Sequence, residues 1–331
     1  MLINTAVHDI IKMRQDYGKI VVVMGGDSSE REISLMSGNA VYDALLKNNI
    51  EVYKFDYKVD SLINLISNNY SAAILMLHGK DGEDGVIQGF LECFNIPYSG
   101  SGILASSLAM DKYRTKLLWN GLSIPNARFL YIDNNMHFVE NPTKIFNALI
   151  QNNLTYPLIV KPNHGGSTLG ISIVNNDSEL IEAINKSLGN DDAILIEEFL
   201  IGDEYTVVLD KNNIYPTINI KLPKDKLNYD YNDKYFTNNA IYECPAHLGE
   251  LQDHLLQYAR TIYESMGISG IARIDFMIIK NHHNQNNAIR FLEINTIPGM
   301  TTHSFVPMAF SKVGITFEQL CMYILNLSFH K

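Results

Sequence analysis

Apolar and polar positions along the chain follow two rhythms in turn. KIVVVM, residues 19–24, is an unbroken apolar run of strand length and predicts a strand buried on both faces. SEREISLMSGNAVYDALLKNN follows, with apolar residues at 33, 36, 40, 41, 44 and 45, the spacing of one helical face. EVYKFDY and AAILMLH predict two further strands; SLINLISNN and DGVIQGFLECF predict two further helices. Strand and helix alternating in this order predict a small parallel sheet with helices on both faces. From about residue 111 the order changes. MDKYRTKLLWNGL predicts a helix followed by a loop at Ile124-Pro125, and LIVKP, ISIV and AILIEEFL predict strands around the helix SELIEAINKSL. That is an antiparallel α+β arrangement. EYTVVLD, IYPTINI, GIARIDFMII and AIRFLEIN predict a second group of strands, with the helix QDHLLQYARTIYESMG among them.

Two segments stand apart. Ile3, Val7, Ile10 and Ile11 predict a short amphipathic helix ahead of the first strand. LPKDKLNYDYNDKYFTNNAIYECPA is long and polar, yet rich in Tyr and Lys, which predicts a lid rather than plain disorder. There is no internal repeat.

Composition narrows the classes. At 331 residues the chain exceeds one ordinary core and predicts two or three domains. With 46% hydrophobic and 19% charged residues it reads as a soluble globular protein. A formal net charge of −10 argues against nucleic acid as a partner, so any anionic ligand must be held by local cations. Cys93, Cys244 and Cys321 form no CxxC pair, which fits a reducing compartment and argues against zinc or structural disulfides. No apolar run approaches membrane-spanning length, and the start of the chain has no basic leader and carries Asp9 within its apolar stretch.

Candidate chemistry concentrates near the C-terminus, in RFLEINTIPGMTTHSF, residues 290–305. Glu293 and Asn295 lie two apart and leave one face of a strand, as Arg273 and Asp275 do in GIARIDFM. If the two strands are neighbours, Asp, Glu and Asn oxygens gather beside a guanidinium. Hard oxygens of this kind suit Mg²⁺ held together with phosphate oxygens, and Leu292, Ile294, Ile274 and Phe276 supply the buried alternation. The bland reading is a solvated face with a surface ion pair. Gly299, after Pro298, offers a backbone N–H that with Arg273 makes an oxyanion site, or the pair is only a strand-ending turn.

Three other stretches are suggestive. KPNHGGSTLG follows a strand, and its glycines and Lys161 suit phosphate, although a Gly-Gly-Ser turn also closes hairpins and no P-loop pattern is present. VVVMGGDSSEREIS is strand, Gly-Gly, helix; Ser29 and Glu32 predict a capping box, and Glu30 reads equally as a ligand or as an acid favouring the helix dipole. There is no GxGxxG. HGKDGEDG leaves a strand end, where such sheets carry sites, and His78 reads there as a loop-ordering residue more than a base. His282 and His283 fall in a polar hairpin and read as solvated.

Taken together, GGDSSEREISLMSG, LHGKDGEDGVIQGFLE, PYSGSGILASSLAMDKYRTK, LIVKPNHGGSTLGIS, ILIEEFLIGDEYTV, YNDKYF, GIARIDFM and FLEINTIPGMTTHSFVPM resemble the D-alanine–D-alanine ligase family of ATP-grasp enzymes, in the family's order from about residue 20 onward. The resemblance implies a Rossmann-like parallel α/β domain at 19–110, a central antiparallel ATP-grasp domain at 111–201 and a C-terminal α+β domain at 202–331 with a lid at about 221–240. Residues 1–18 are an extension outside the pattern. It implies a cytoplasmic, homodimeric ligase of peptidoglycan synthesis that uses ATP and two Mg²⁺, or Mn²⁺ in their place.

By position, the resemblance implies that Glu30 binds the ammonium of the first D-alanine, with Ser167 and Tyr235 hydrogen-bonded to it and His78 nearby. Lys112, Lys161 and Lys234 contact ATP phosphates; Glu197, Glu198 and Leu200 line the adenine; Glu204 reaches the ribose. Asp275, Glu293 and Asn295 hold the metal. Arg273 and the Gly299 N–H face the tetrahedral oxyanion, and Ser304 and Phe305 seat the second carboxylate, where many relatives have Leu at the latter position. One departure is Asn-His-Gly-Gly-Ser after Lys161, where many relatives read Arg-Glu-Gly-Ser; Gly165 lacks the usual acid, which predicts looser loop contacts. Two alternatives stay open: a D-alanine–D-lactate ligase, against which Tyr235 argues, and a nucleotide-binding regulator without catalysis, against which Arg273, Asp275, Glu293 and Asn295 argue.

Overall fold

The computed structural model describes residues 16–134, 142–166, 170–221, 241–280 and 287–329. The expected N-terminal helix, the lid, His282 and His283 lie outside the described residues.

The first sheet is parallel, in the order β2-β1-β3, with β1 Ile20–Met24, β2 Val52–Asp56 and β3 Ala72–Leu75. Alternation along β1 explains its unbroken apolar run. Ile20, Val22 and Met24 enter one core with the C-terminal helices, while Val21 and Val23 enter another beneath the helix Val86–Cys93. Helix α1, Arg31–Lys47, and α2, Ile63–Ser67, complete the wrapping, and Val86–Cys93 is α3. The expected Ser29–Glu32 capping box is not formed. The helix opens at Glu30 without a side-chain cap, and Ser28 Oγ instead accepts the Glu30 N–H and donates to the His78 carbonyl.

Two antiparallel sheets follow. The four-stranded one has the order β4-β7-β5-β6, with β4 Phe129–Asp133, β5 Leu158–Pro162, β6 Ser172–Val174 and β7 Ala193–Glu198. Ile132, Val160, Ile194 and Ile196 form a core with the helices Pro142–Gln151 and Asp177–Leu188. The five-stranded sheet has the order β10-β9-β8-β11-β12, with β8 Gly202–Leu209, β9 Ile218–Lys221, β10 Ile241–Glu243, β11 Ala272–Lys280 and β12 Asn287–Asn295. Its buried face packs Ile274, Phe276, Phe291 and Ile294 on the helix Leu251–Ser265 and on Trp119. In chain order the remaining helices are α4 Ile103–Met110, α5 Lys112–Gly121, α6 Pro142–Gln151, α7 Asp177–Leu188, α8 Leu251–Ser265, α9 Phe305–Lys312 and α10 Phe317–Leu327.

β4, α4, α6, α9 and α10 are not among the elements expected from sequence. In α10 every residue from 320 to 326 is buried, so no polar face marks the helix. The buried alternation on β12 also needs a correction. A bulge between Asp275 and Phe276 pairs Phe276 with Phe291 and skips Leu292, so Phe291 is buried and Leu292 is half-buried. The extra residue resets the period and keeps both aromatics in the core while the acids face the other way. Among the described residues no helix is long and apolar enough to cross a membrane. The three cysteines are free.

Candidate active site

The paired strands β11 and β12 deliver the C-terminal residues together. Arg273 lies opposite Asn295, and Asp275 lies opposite Glu293. Residues two apart on a strand share a face, so all four project to one side, away from Ile274 and Ile294. Thr206 on β8 pairs with Asp275 from the other flank. Glu204, two residues earlier, shares its face.

Asp275 is 5% exposed, and its carboxylate is fully engaged. Oδ1 accepts from Thr206 Oγ1 at 2.6 Å and Arg273 Nε at 2.9 Å; Oδ2 accepts from Arg273 Nη2 at 2.8 Å and Asn295 Nδ2 at 3.2 Å. Four donors fill the four lone-pair positions of a carboxylate. Asn295 spends its amide N–H on Asp275, which turns its Oδ1 the other way. Phe305 lies beneath the guanidinium, with Arg273 Cζ 5.7 Å from the ring centroid, and Tyr242 meets Phe305 edge-on at 5.4 Å.

A cleft opens in front of these residues, lined also by Glu30, His78, Glu83, Lys112, Gly166 and Gly299. It therefore joins the end of β3, the start of α1, the start of α5 and the turn after β5. Glu30 is 8% exposed, and glycines enclose it: a Cβ on Gly166 would stand 2.7 Å from Glu30 Oε2, and one on Gly79 3.1 Å from the same atom. Only glycine lets two backbone segments approach a carboxylate this closely. Burial pushes the His78 imidazole below its ordinary value, opposed by Glu30 and aided by Arg273, so the ring is neutral. Glu83 accepts the Gly79 N–H at 2.7 Å. Burial and then the Glu30 charge push its carboxyl up to about 8, so it is largely protonated at neutral pH.

On the other wall, Lys112 Nζ donates to the Gly165 carbonyl and stands 3.8 Å from Glu293 Oε2. Lys161 Nζ and Lys116 Nζ meet Glu197 Oε1 at 2.9 and 3.2 Å. Glu198, next along the strand, is not part of this group. Its carboxylate takes Arg128 through Nε, Nη2 and the backbone N–H, because adjacent strand residues point to opposite faces. Leu200, just after β7, is half-buried. Ser304 begins α9; its Oγ accepts the Thr301 N–H at 2.9 Å and lies where a Cβ on Gly299 would come within 2.9 Å.

Just before Gly165, the turn after β5 is held through His164. His164 N–H and Nδ1 reach the two oxygens of Asp191 at 2.6 and 3.0 Å, and Nε2 lies 3.6 Å from Asp111. Asp111 caps α5 by accepting the Arg114 N–H, and Asn163 Nδ2 donates to it at 3.0 Å. The carboxylates of Asp111 and then Asp191 raise the His164 pKa to about 9.

The structure thus brings together Glu30, His78, Lys112, Arg273, Glu293, Asn295 and Gly299 around one cleft. Asp275 stands behind it, while Lys161 and Glu197 form a second group on the four-stranded sheet. Ser167, Lys234 and Tyr235 lie outside the described residues. Glu83, Lys116, Thr206 and His164 were not singled out from sequence. Glu83 was visible only as one acid of HGKDGEDG, and Lys116 only as the partner of Lys112 one helical turn on.

The donor set suits a hard divalent ion. Among the described residues no three His, Cys, Asp or Glu side chains surround one point, so a cation here needs the Asn295 amide oxygen and further oxygens from a ligand. That is how Mg²⁺ is held by one or two carboxylates together with phosphates. Asp275 joins only by exchanging one of its four donors.

Comparison with known proteins gives consistent findings. The family profile described as D-ala D-ala ligase C-terminus matches residues 118–326, and the one described as D-ala D-ala ligase N-terminus matches residues 57–101. The D-alanine–D-alanine ligase of Nitrosococcus oceani is 41% identical over 316 residues, covering 95% of each chain. The crystal structure of D-alanine–D-alanine ligase from Bacillus anthracis superposes with a TM-score of 0.79 at 32% identity, covering 95% of this chain and 98% of that one. The same enzyme complexed with ATP superposes with a TM-score of 0.78 at 29% identity and the same coverage.

Proposed function

Because the chain belongs to the D-alanine–D-alanine ligase family, we propose that its cleft joins two D-alanines at the expense of ATP, releasing ADP, phosphate and D-alanyl-D-alanine for peptidoglycan synthesis. The observation that carries this reading is the register of β11 and β12. It sets Asp275 against Glu293 and Arg273 against Asn295 on one face of the cleft.

The carboxylate of the first D-alanine attacks the γ-phosphorus, and the P–O bond to ADP breaks. The amine of the second attacks the carbonyl carbon of the resulting acyl phosphate, and the C–O bond to phosphate breaks. Glu30, enclosed by Gly79 and Gly166, offers the negative charge that an α-ammonium requires, with Ser167 and Tyr235 as its hydrogen-bonding partners and His78 beside it. Arg273 and the Gly299 N–H are suited to the oxyanion of the tetrahedral intermediate, where one such donor is worth about 10²–10³ in rate. Ser304, at the start of α9, and Phe305 suit the second carboxylate.

Lys112, Lys161 and Lys234 serve the phosphates. Glu197, Leu200 and the backbone of Glu198 serve the adenine, and Glu204 the ribose. Asp275, Glu293 and Asn295 would hold Mg²⁺, and Mn²⁺ fits the same oxygens. Bound there, the ion supplies charge neutralisation to the transferring phosphoryl group. The domain divisions at 110/111 and 201/202, a homodimer and residence in the cytoplasm belong to the same proposal.

Phosphate release with ATP and Mg²⁺, measured with one amino acid or hydroxy acid varied at a time, tests the reading. D-Alanine in both positions gives the highest turnover. Preference for D-lactate as acceptor would make the chain a depsipeptide ligase, and no ADP release with D-alanine would make it a nucleotide-binding protein without catalysis.

A further inference from the structure

Helix α5 sends two lysines, four residues apart, toward the nucleotide side of the cleft. Lys112 reaches the Gly165 carbonyl and Glu293. Lys116 points inward and is fully buried, with Nζ 5.8 Å from the centroid of the Phe129 ring. Its Nζ lies 3.2 Å from Glu197 Oε1, the oxygen that Lys161 meets at 2.9 Å. Glu198 adds no compensating contact, because its carboxylate is taken by Arg128.

Two ammonium groups on one buried carboxylate leave a surplus positive charge. Both ammonium groups converge on the single oxygen Glu197 Oε1, so neither is its undivided partner. Burial lowers the Lys116 pKa to about 8, opposed by Glu197 and aided by Lys161. A trio that is over-supplied with cations is poised to give one cation away.

We propose that Lys116 is a positioning residue of the nucleotide site: it is the permanent counter-charge of Glu197, which frees Lys161 to leave that carboxylate for a phosphate of ATP. This rests on the nucleotide reading given above. Lys161 is the mobile partner because it stands at the end of β5, 8% exposed, while Lys116 is sealed beneath the sheet. Without Lys116, a departing Lys161 leaves an unpaired buried carboxylate, which is strongly unfavourable. Lys161 would then stay on Glu197.

The test is the affinity of the full-length protein for the non-hydrolysable imido analogue of ATP with Mg²⁺, measured by calorimetry on the wild type, Lys116→Met, Glu197→Gln and the double variant. Lys116→Met weakens binding by about 10–100-fold, the scale for breaking a buried charge pair. In the Glu197→Gln background the same replacement changes Kd by less than about threefold, because no carboxylate is left to neutralise. Equal losses in both backgrounds overturn the role of Lys116. Should Lys116→Met alone not fold, Glu197→Gln against the double variant still decides, since removing both partners of a buried pair is often neutral. Failure of the wild type to bind the analogue overturns the nucleotide site itself, and this role with it.

Discussion

Asp275 and Glu293 stand directly opposite each other on the paired strands β11 and β12, on the same face as Arg273 and Asn295. Glu293 is the accessible member, with its side chain 30% exposed, while Asp275 is enclosed by four donors. Glu293→Gln therefore leaves the fold intact and acts on the metal. The Mg²⁺ concentration for half-maximal turnover rises by more than about tenfold, since even an outer partner of a metal ligand is worth 10–100-fold. A Mg²⁺ titration of activity, with thermal melting as the control, checks this; an unchanged requirement removes Glu293 from the metal site.

Arg273→Ala lowers kcat by about 10²–10³ while leaving ATP affinity within about threefold, the pattern for loss of one oxyanion donor. Arg273→Lys recovers little of it, because an ammonium cannot make the two-pronged contact that a guanidinium makes. Steady-state kinetics and nucleotide titration check both. Wild-type kcat in Arg273→Ala would assign the oxyanion to other groups.

Gly166→Ala places a methyl group 2.7 Å from Glu30 Oε2, so either the carboxylate or the turn must move. The KM for the first D-alanine rises by more than about tenfold, as expected when the counter-charge of an ammonium is displaced. Gly121→Ala is the contrasting control, because its methyl group meets nothing within 4 Å at the end of α5. It leaves kinetics unchanged and stabilises the protein by up to about 1 kcal/mol. Similar kinetics for the two variants would dissociate Gly166 from Glu30.

His164 gives the turn after β5 a pH dependence. Its folded-state pKa, raised to about 9, lies above the ordinary histidine value of about 6.5. The contribution is thus complete below about pH 6.5 and is lost as pH rises through about 9. Burial alone would raise the Asp111 carboxyl, but His164, the Arg114 N–H and Asn163 outweigh it and hold the group below the carboxylate range; that contribution is lost only in acid. The Tm advantage of the wild type over His164→Asn therefore shrinks between pH 6.5 and 9.5. A constant difference across that range would mean that the imidazole carries no charge there.

Much of the cleft was legible because strand chemistry has a period of two. Arg273 with Asp275, and Glu293 with Asn295, each read as one face of their own strand before any pairing was known, and the pairing of β11 with β12 brings the two faces together. The bulge at Leu292 was not legible, since an extra residue breaks the period that the reading relies on. Lys116 was hidden for another reason. A lysine in a helix reads as solvated by default, and only the fold places it beneath a sheet beside Glu197. The His164 clamp reaches Asp191, 27 positions on, and Asp111, farther back in the chain, and neither carries a local motif that announces it.

The most direct test of the central claim follows the oxygens of the first substrate. With D-alanine labelled with ¹⁸O in both carboxylate oxygens, ATP and Mg²⁺, transfer through an acyl phosphate sends one labelled oxygen into the released phosphate and keeps the other in the new amide. Mass spectrometry of the phosphate is expected to find one ¹⁸O per dipeptide formed. Unlabelled phosphate accompanying dipeptide would contradict phosphoryl transfer to the D-alanine carboxylate in this cleft.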